Sequence, residues 1–143
     1  MIGNVGFEDE FGDLLTEDIL IGEIVESQDE ERGDLTQSFE VMYETRASIQ
    51  RQRSAREIEM ASGRRVMSYW RIYTSVLGWV IDNEEGEEVE DVQEDMNLRP
   101  GLLITTDMDF DGSNRGAPIY RILRVYSPFG QHFELDVEVV NDV

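Results

Sequence analysis

The feature that most constrains the fold is an unbroken alternation from Phe39 to Ile49. Phe39, Val41, Tyr43, Ala47 and Ile49, with Thr45 among them, fall on one side, and Glu40, Met42, Glu44, Arg46, Ser48 and Gln50 on the other. Successive side chains of a strand point to opposite faces, so period 2 held over this length predicts a long, half-buried antiparallel strand. A strand of that length has two edges that must be paired or protected. Closure into a barrel is the simplest way to do both.

Other segments carry the same chemistry. Ile19 to Glu26 is rich in Ile and Val, and Val66 to Leu77 contains Val66, Tyr69, Trp70, Ile72, Tyr73, Thr74 and Val76. Leu102 to Thr106 and Ile119 to Tyr126 follow as short strands. His132 to Val140 alternates again, with Phe133, Leu135, Val137 and Val139 expected inward and Glu134, Asp136 and Glu138 outward. Ser27 to Gly33, Arg99-Pro100-Gly101 and Ser127-Pro128-Phe129-Gly130 are turns. One stretch departs from this pattern. Ser54 with Glu57 three residues later matches a capping box, and Gly63 stands where a helix C-cap belongs, so one short helix is expected over Ser54 to Ala61.

The expectation is therefore an all-β fold with one short helix, a small antiparallel β-barrel or sandwich. The 143 residues suffice for a single core. Residues 1–18 are expected to form an N-terminal arm, with Phe7, Phe11, Leu14 and Leu15 at helical spacing. The barrel domain is expected over 19–143, with an acidic loop excursion at about 78–98 that reads as a mobile loop or hairpin tip.

Charge narrows the function. The formal net charge is −20, so general attraction to nucleic-acid phosphate is not expected. All 12 basic residues are Arg; biased codon usage explains this as readily as a demand for forked donors at interfaces. Charge is also segregated. Twelve acids and one Arg lie between Glu8 and Asp34, seven Arg between Arg46 and Arg71, and nine acids with no base between Asp82 and Asp95. In a ring whose subunits meet acidic face to basic face, such blocks would set the register; otherwise they are solvated loops. There is no cysteine, which excludes disulfides, thiolate metal sites and cysteine catalysis. No apolar run approaches the roughly 20 residues of a membrane helix, and the acidic start of the chain does not resemble a secretory signal.

Asp107, Asp109, Asp111 and Gly112 match the opening of a calcium loop, but Pro118 stands where the closing Glu belongs. This makes a weak calcium candidate and a better acidic connection between strands. His132, the single histidine, is expected at the surface. No phosphate-binding glycine loop or nucleophile elbow occurs, so no enzyme, no cofactor and no resident metal are expected. Tyr69, Trp70 and Tyr73 read either as sheet packing or as an anchor patch for a neighbour.

The order GDLTQSFEVMYETRASIQ, RSAREIEMASGRR and MSYWRIYTS, then LRPGLLI, PIYRILRVYS and HFELDVEVV, resembles the head–tail joining proteins of tailed bacteriophages, the head-closure or stopper subunits. The likeness spans about residues 19–140. It implies a homo-oligomeric ring, of six or twelve copies, at the head–tail interface of a virion, made in the host cytoplasm. Its implied partners are the portal and adaptor proteins, the tail terminator or tail-tube protein, and packaged viral DNA contacted without sequence specificity; no membrane is involved. In some members the connection between the second and third strands blocks the channel. Here that connection is Gln50 to Arg65, and its candidates for a gate or a subunit interface are Arg51, Arg53, Arg56, Arg64 and Arg65. Asp82, Glu84, Glu85, Glu87 and Glu88 are candidates for an acidic channel wall that repels moving DNA. The long acidic excursion and the N-terminal arm depart from the family pattern, leaving a related adaptor or neck subunit open. Two rivals stand beside this reading: an acidic DNA-mimic anti-restriction inhibitor, and a calcium-binding module on Asp107, Asp109 and Asp111.

Overall fold

The computed structural model describes residues 15–28, 30–82, 87–112 and 116–140, with side chains for all of these except 82–91. Among the described residues, eight strands form one antiparallel sheet: β1 (Glu17–Gln28), β2 (Leu35–Glu59), β3 (Arg65–Ser75), β4 (Leu77–Asp82), β5 (Glu87–Asp95), β6 (Leu103–Thr105), β7 (Ile119–Tyr126) and β8 (His132–Val140). The strand order is β1-β6-β7-β8-β3-β2-β4-β5, and β1 also pairs with β2. Six strands thus form a closed, barrel-like circuit of pairings, with the β4–β5 hairpin branching from β2. The all-β class expected from the alternation is borne out.

β2 makes the closure possible. Its 25 residues would span about 80 Å if straight. It serves β1 from Leu35 to Ala47 and β3 from Ala47 to Glu59. Ala47 sits at the handover, opposite both Glu17 and Thr74, and is wholly buried.

The alternation in β2 does not keep one face. Ile21 pairs with Tyr43 and Gly22 with Val41, which leaves Met42 as an extra residue. A one-residue slip moves the following side chains to the other face. Tyr43, Ala47 and Ile49 therefore join a main core with Ile19, Ile21, Ile72, Ile104, Ile122, Leu135 and Val137. Phe39 and Val41 instead join a second core with Leu20, Leu103, Phe110, Ile119 and Val140. The single inward face expected for Phe39 to Ile49 is corrected to two faces. Gly22 permits the bulge, because a Cβ there would collide with the Glu40 carbonyl oxygen. Gly22→Ala is expected to cost about 1–3 kcal/mol by overpacking against backbone that has nowhere to move. Urea unfolding measures this, and an unchanged midpoint would refute it.

Two other expectations are corrected. No helix forms over Ser54 to Ala61. β2 continues to Glu59 and pairs with β3 through Arg56–Ser68, Glu57–Met67, Ile58–Val66 and Glu59–Arg65. Gly63, at φ +85°, closes the β2–β3 turn rather than a helix. The cap-like pattern falls where the ladder slips: Gln52, Arg53, Ser54 and Ala55 stand opposite the single residue Tyr69. In β8, Asp136 is 2% exposed and Val139 is 44% exposed, the reverse of the simple alternation. The ladder with β7 skips Leu123, and β8 loses β3 after Val137, so its last residues follow β7 alone.

β4 and β5 pair up to Ile81–Glu88 and Asp82–Glu87, so the acidic excursion is a two-stranded hairpin as far as it is described. The helical spacing of Phe7, Phe11 and Leu14 lies outside the described residues; Leu15 is buried.

Candidate functional site

Past Arg51 and Trp70 the β2–β3 pair leaves the six-strand circuit. β1 reaches β2 only as far as Ala47, and β8 reaches β3 only as far as Trp70. What remains is a two-stranded ribbon that carries all five arginines expected at a gate or interface. The ribbon does not stand clear of the barrel. Arg56 Nη1 lies 3.6 Å from Asp136 Oδ2, and Arg64 Nη2 lies 3.8 Å from Glu138 Oε1, which tie it to β8. Ile58, 2% exposed, is buried in the same ribbon.

The five cations divide by partner. Arg56 and Arg64 meet carboxylates of β8, and Arg65 pairs with Glu57 across the ribbon at 3.2 Å. Arg51 lies over Tyr69 and Trp70, 5.7 and 5.8 Å from the ring centroids, at cation–π distance. Among the described residues, neither Arg51 nor Arg53 has a carboxylate within 4 Å. These two are the cations left for an external anion.

Below the ribbon lies a charge cluster that alternation alone did not find. Arg71 and Asp136 are directly opposite in the β3–β8 ladder and are joined by an Arg71 Nε to Asp136 Oδ1 hydrogen bond of 3.2 Å. Both are largely buried, with side-chain exposures of 13% and 3%. Burial alone would lower the Arg71 pKa. The hydrogen bond with Tyr73 and the charges of Asp136 and Tyr73 outweigh it, so the net displacement is upward and the ion is kept. Glu138 is shared by Arg64 and by Arg121, whose Nη1 lies 3.0 Å away. Trp70 packs inward, its ring 5.9 Å from that of Tyr120. Burial, with a smaller contribution from the Glu17 charge, raises the Tyr120 pKa and keeps its phenol neutral. Tyr69 faces outward and is 46% exposed.

The other candidates lie elsewhere. Glu84 and Glu85 fall outside the described residues, and of Asp82, Glu87 and Glu88 only the backbone pairing is described. Among the described residues, no three His, Asp or Glu side chains are grouped to hold a metal ion. Asp107 instead accepts the Asp109 N–H through Oδ1 at 3.0 Å, and the Phe39 N–H donates to the Asp111 carbonyl at 3.1 Å. This loop lays Phe110 against Phe39, ring centroids 4.8 Å apart, and so roofs the second core. His132 is more covered than expected. Its side chain is 12% exposed, with Nε2 3.4 Å from Glu134 Oε1.

No known protein family matches the chain, and no curated protein is detectably similar to it.

Proposed function

We propose that this chain is a non-enzymatic structural subunit of the head–tail junction of a tailed bacteriophage, one copy of a ring that closes the filled head and offers the tail its attachment surface. The observation that carries the reading is the arginine-bearing β2–β3 ribbon standing past a small closed circuit of strands. The ribbon lies within Gly33 to Ser75, the stretch on which the resemblance to head-closure proteins begins.

In this reading Arg51 and Arg53 face an acidic neighbouring subunit or the phosphates of DNA in the channel; phosphate contacts of this kind position without reading sequence. Arg56, Arg64 and Arg65 hold the ribbon in place rather than gate the channel, because their charge is already met within the chain. The head side of the ring would meet the portal or its adaptor, and the tail side the tail terminator or tube. The reading requires no catalytic group and no cofactor.

Electron microscopy of lysates from a virus lacking this gene tests it. Separate tails beside heads that packaged and then lost DNA are expected. Normal virions that grow poorly only on a restricting host would overturn the reading in favour of the DNA mimic.

A further inference from the structure

The β7–β8 turn presents an aromatic side chain that the subunit itself does not use. Phe129 is 96% exposed, and its backbone lies in the left-handed region at φ +57°. The Gly130 N–H donates to the Ser127 carbonyl and the Gln131 N–H to the Pro128 carbonyl, which holds the turn in this form. A bulky side chain at positive φ is an outlier, and such conformations collect where a side chain is held for a function.

The sheet sets what lies beside this turn. β2 occupies one edge of the β3–β4 line, pairing with Thr74 and with Val80. The other edge carries β8 and then β5, with His132 opposite Ser75 and Asp95 opposite Leu77. The Phe129 turn, which leads into His132, therefore shares one end of β3 with Leu77, Glu94 and Asp95. Leu77 is 43% exposed. Glu94 and Asp95 are exposed and have no arginine within 4 Å among the described residues. Of the nearby arginines, Arg46 meets Asp18 and Arg124 lies over the Tyr126 ring. This end of the subunit is apolar and acidic.

The opposite end is apolar and cationic. The β3–β8 ladder stops at Trp70–Val137, and beyond it a cleft of about 340 Å³ opens, lined by Arg51, Met67, Tyr69, Trp70, Glu138 and Val139. Met67, Tyr69 and Val139 are each nearly half exposed, an apolar cluster of a kind that marks interaction surfaces. Glu138 is held by Arg64 and Arg121, so the charge left over in the cleft is that of Arg51. Arg53, two residues further along β2, also has no carboxylate partner among the described residues.

We infer that copies of this chain join head to tail: the Phe129 turn of one copy enters the β3–β8 cleft of the next, against Met67, Tyr69 and Val139, and its Glu94 and Asp95 meet Arg51 and Arg53 there. Each surface supplies an apolar group and the charge that the other lacks, so the pairing is selected by charge as well as by burial. The two surfaces differ and lie at opposite ends of one strand. The contact is therefore heterologous and repeats from copy to copy, closing a ring or running on as a filament according to the rotation between copies. The contact itself stands without the virion reading; only its closure into a ring rests on that reading.

Two variants of the full chain separate the surfaces. Phe129→Gly removes the anchor at a φ that glycine adopts freely, and Met67→Asp places a charge at the cleft. Both residues are exposed, so both variants should keep the fold. Sedimentation velocity at about 0.15 M KCl, where exposed charges still act over about 8 Å, reads the association. The unaltered chain is expected to associate with rising concentration, and each variant alone to do so at least about tenfold more weakly, as for a buried anchor. An equimolar mixture of the two variants should form dimers that grow no further, because one copy keeps the turn and the other keeps the cleft. An unaltered chain that stays monomeric up to about 1 mM, where even a weak contact is populated, would overturn the inference. So would F129G associating as well as the unaltered chain, or a mixture that forms no dimer. These outcomes are read on the purified chain and stand apart from the lysate test of the virion reading.

Discussion

Asp136→Ala is expected to cost the fold about 3–5 kcal/mol, the loss typical when one partner of a buried ion pair is removed. The carboxylate is 2% exposed and opposes Arg71 in the β3–β8 ladder, with a 3.2 Å hydrogen bond between them. Without it, the Arg71 guanidinium stays buried with no counter-ion, and Arg56 loses its tie from the ribbon to β8. A domain of this size has only about 5–15 kcal/mol of stability, so the variant should be near the limit of folding. The sign of the pH dependence follows from Arg71. Its pKa is displaced upward, so the stabilisation is present below the unfolded value and lost only above the folded one. The deficit should therefore be the same at about pH 6 and about pH 9, since Arg is charged throughout that range. Arg71→Met combined with Asp136→Leu should restore most of the loss, because an apolar pair of similar volume replaces a buried ion pair at little cost. Urea unfolding of the three proteins measures this. A single-variant loss below about 1 kcal/mol would place the pair with surface ion pairs, which contribute little.

Stability is expected to rise steeply with salt. The chain carries 32 acids against 12 arginines, and at least seven of those arginines already meet carboxylates in the fold. The excess is acidic, and compaction brings it together against its own repulsion. Raising ionic strength from 0.1 M to 1 M shortens the screening length from about 10 Å to about 3 Å, which removes most of that repulsion. The exposed pairs Arg46–Asp18, Arg65–Glu57 and Arg99–Glu23 weaken in the same salt, but each contributes at most about 1 kcal/mol. A net gain of about 2 kcal/mol is expected, equivalent to a thermal midpoint higher by on the order of 10 °C. Thermal unfolding in KCl measures it, and sucrose at matched excluded volume separates screening from surface exclusion. A flat or falling midpoint would mean that the carboxylates lie far enough apart for their repulsion to be negligible.

Composition and periodicity by themselves determined the class of fold and most of its strands. Ile119 to Tyr126 and His132 to Val140 coincide with β7 and β8, and the alternation from Phe39 to Ile49 lies within β2. These strands were legible because burying one face leaves a period-2 trace in the residues themselves. Facing was not legible beyond a bulge. Met42 and Leu123 look like ordinary members of their strands, and only the register with a partner strand shows that they are extra. The same limit hid Asp136, whose burial depends on Arg71, 65 residues away in sequence and opposite it in the sheet. The Ser54–Glu57 pattern misled for a related reason: a local cap contributes about 1 kcal/mol, less than the pairing and burial available to Ile58 once β3 lies alongside. The five arginines of the ribbon were visible in the chain from the start. Which of them are already neutralised, and which two remain available, is fixed by β8 alongside the ribbon for Arg56 and Arg64 and by the β2–β3 register for Arg65, because a charge is available only where the fold brings no opposite charge within reach.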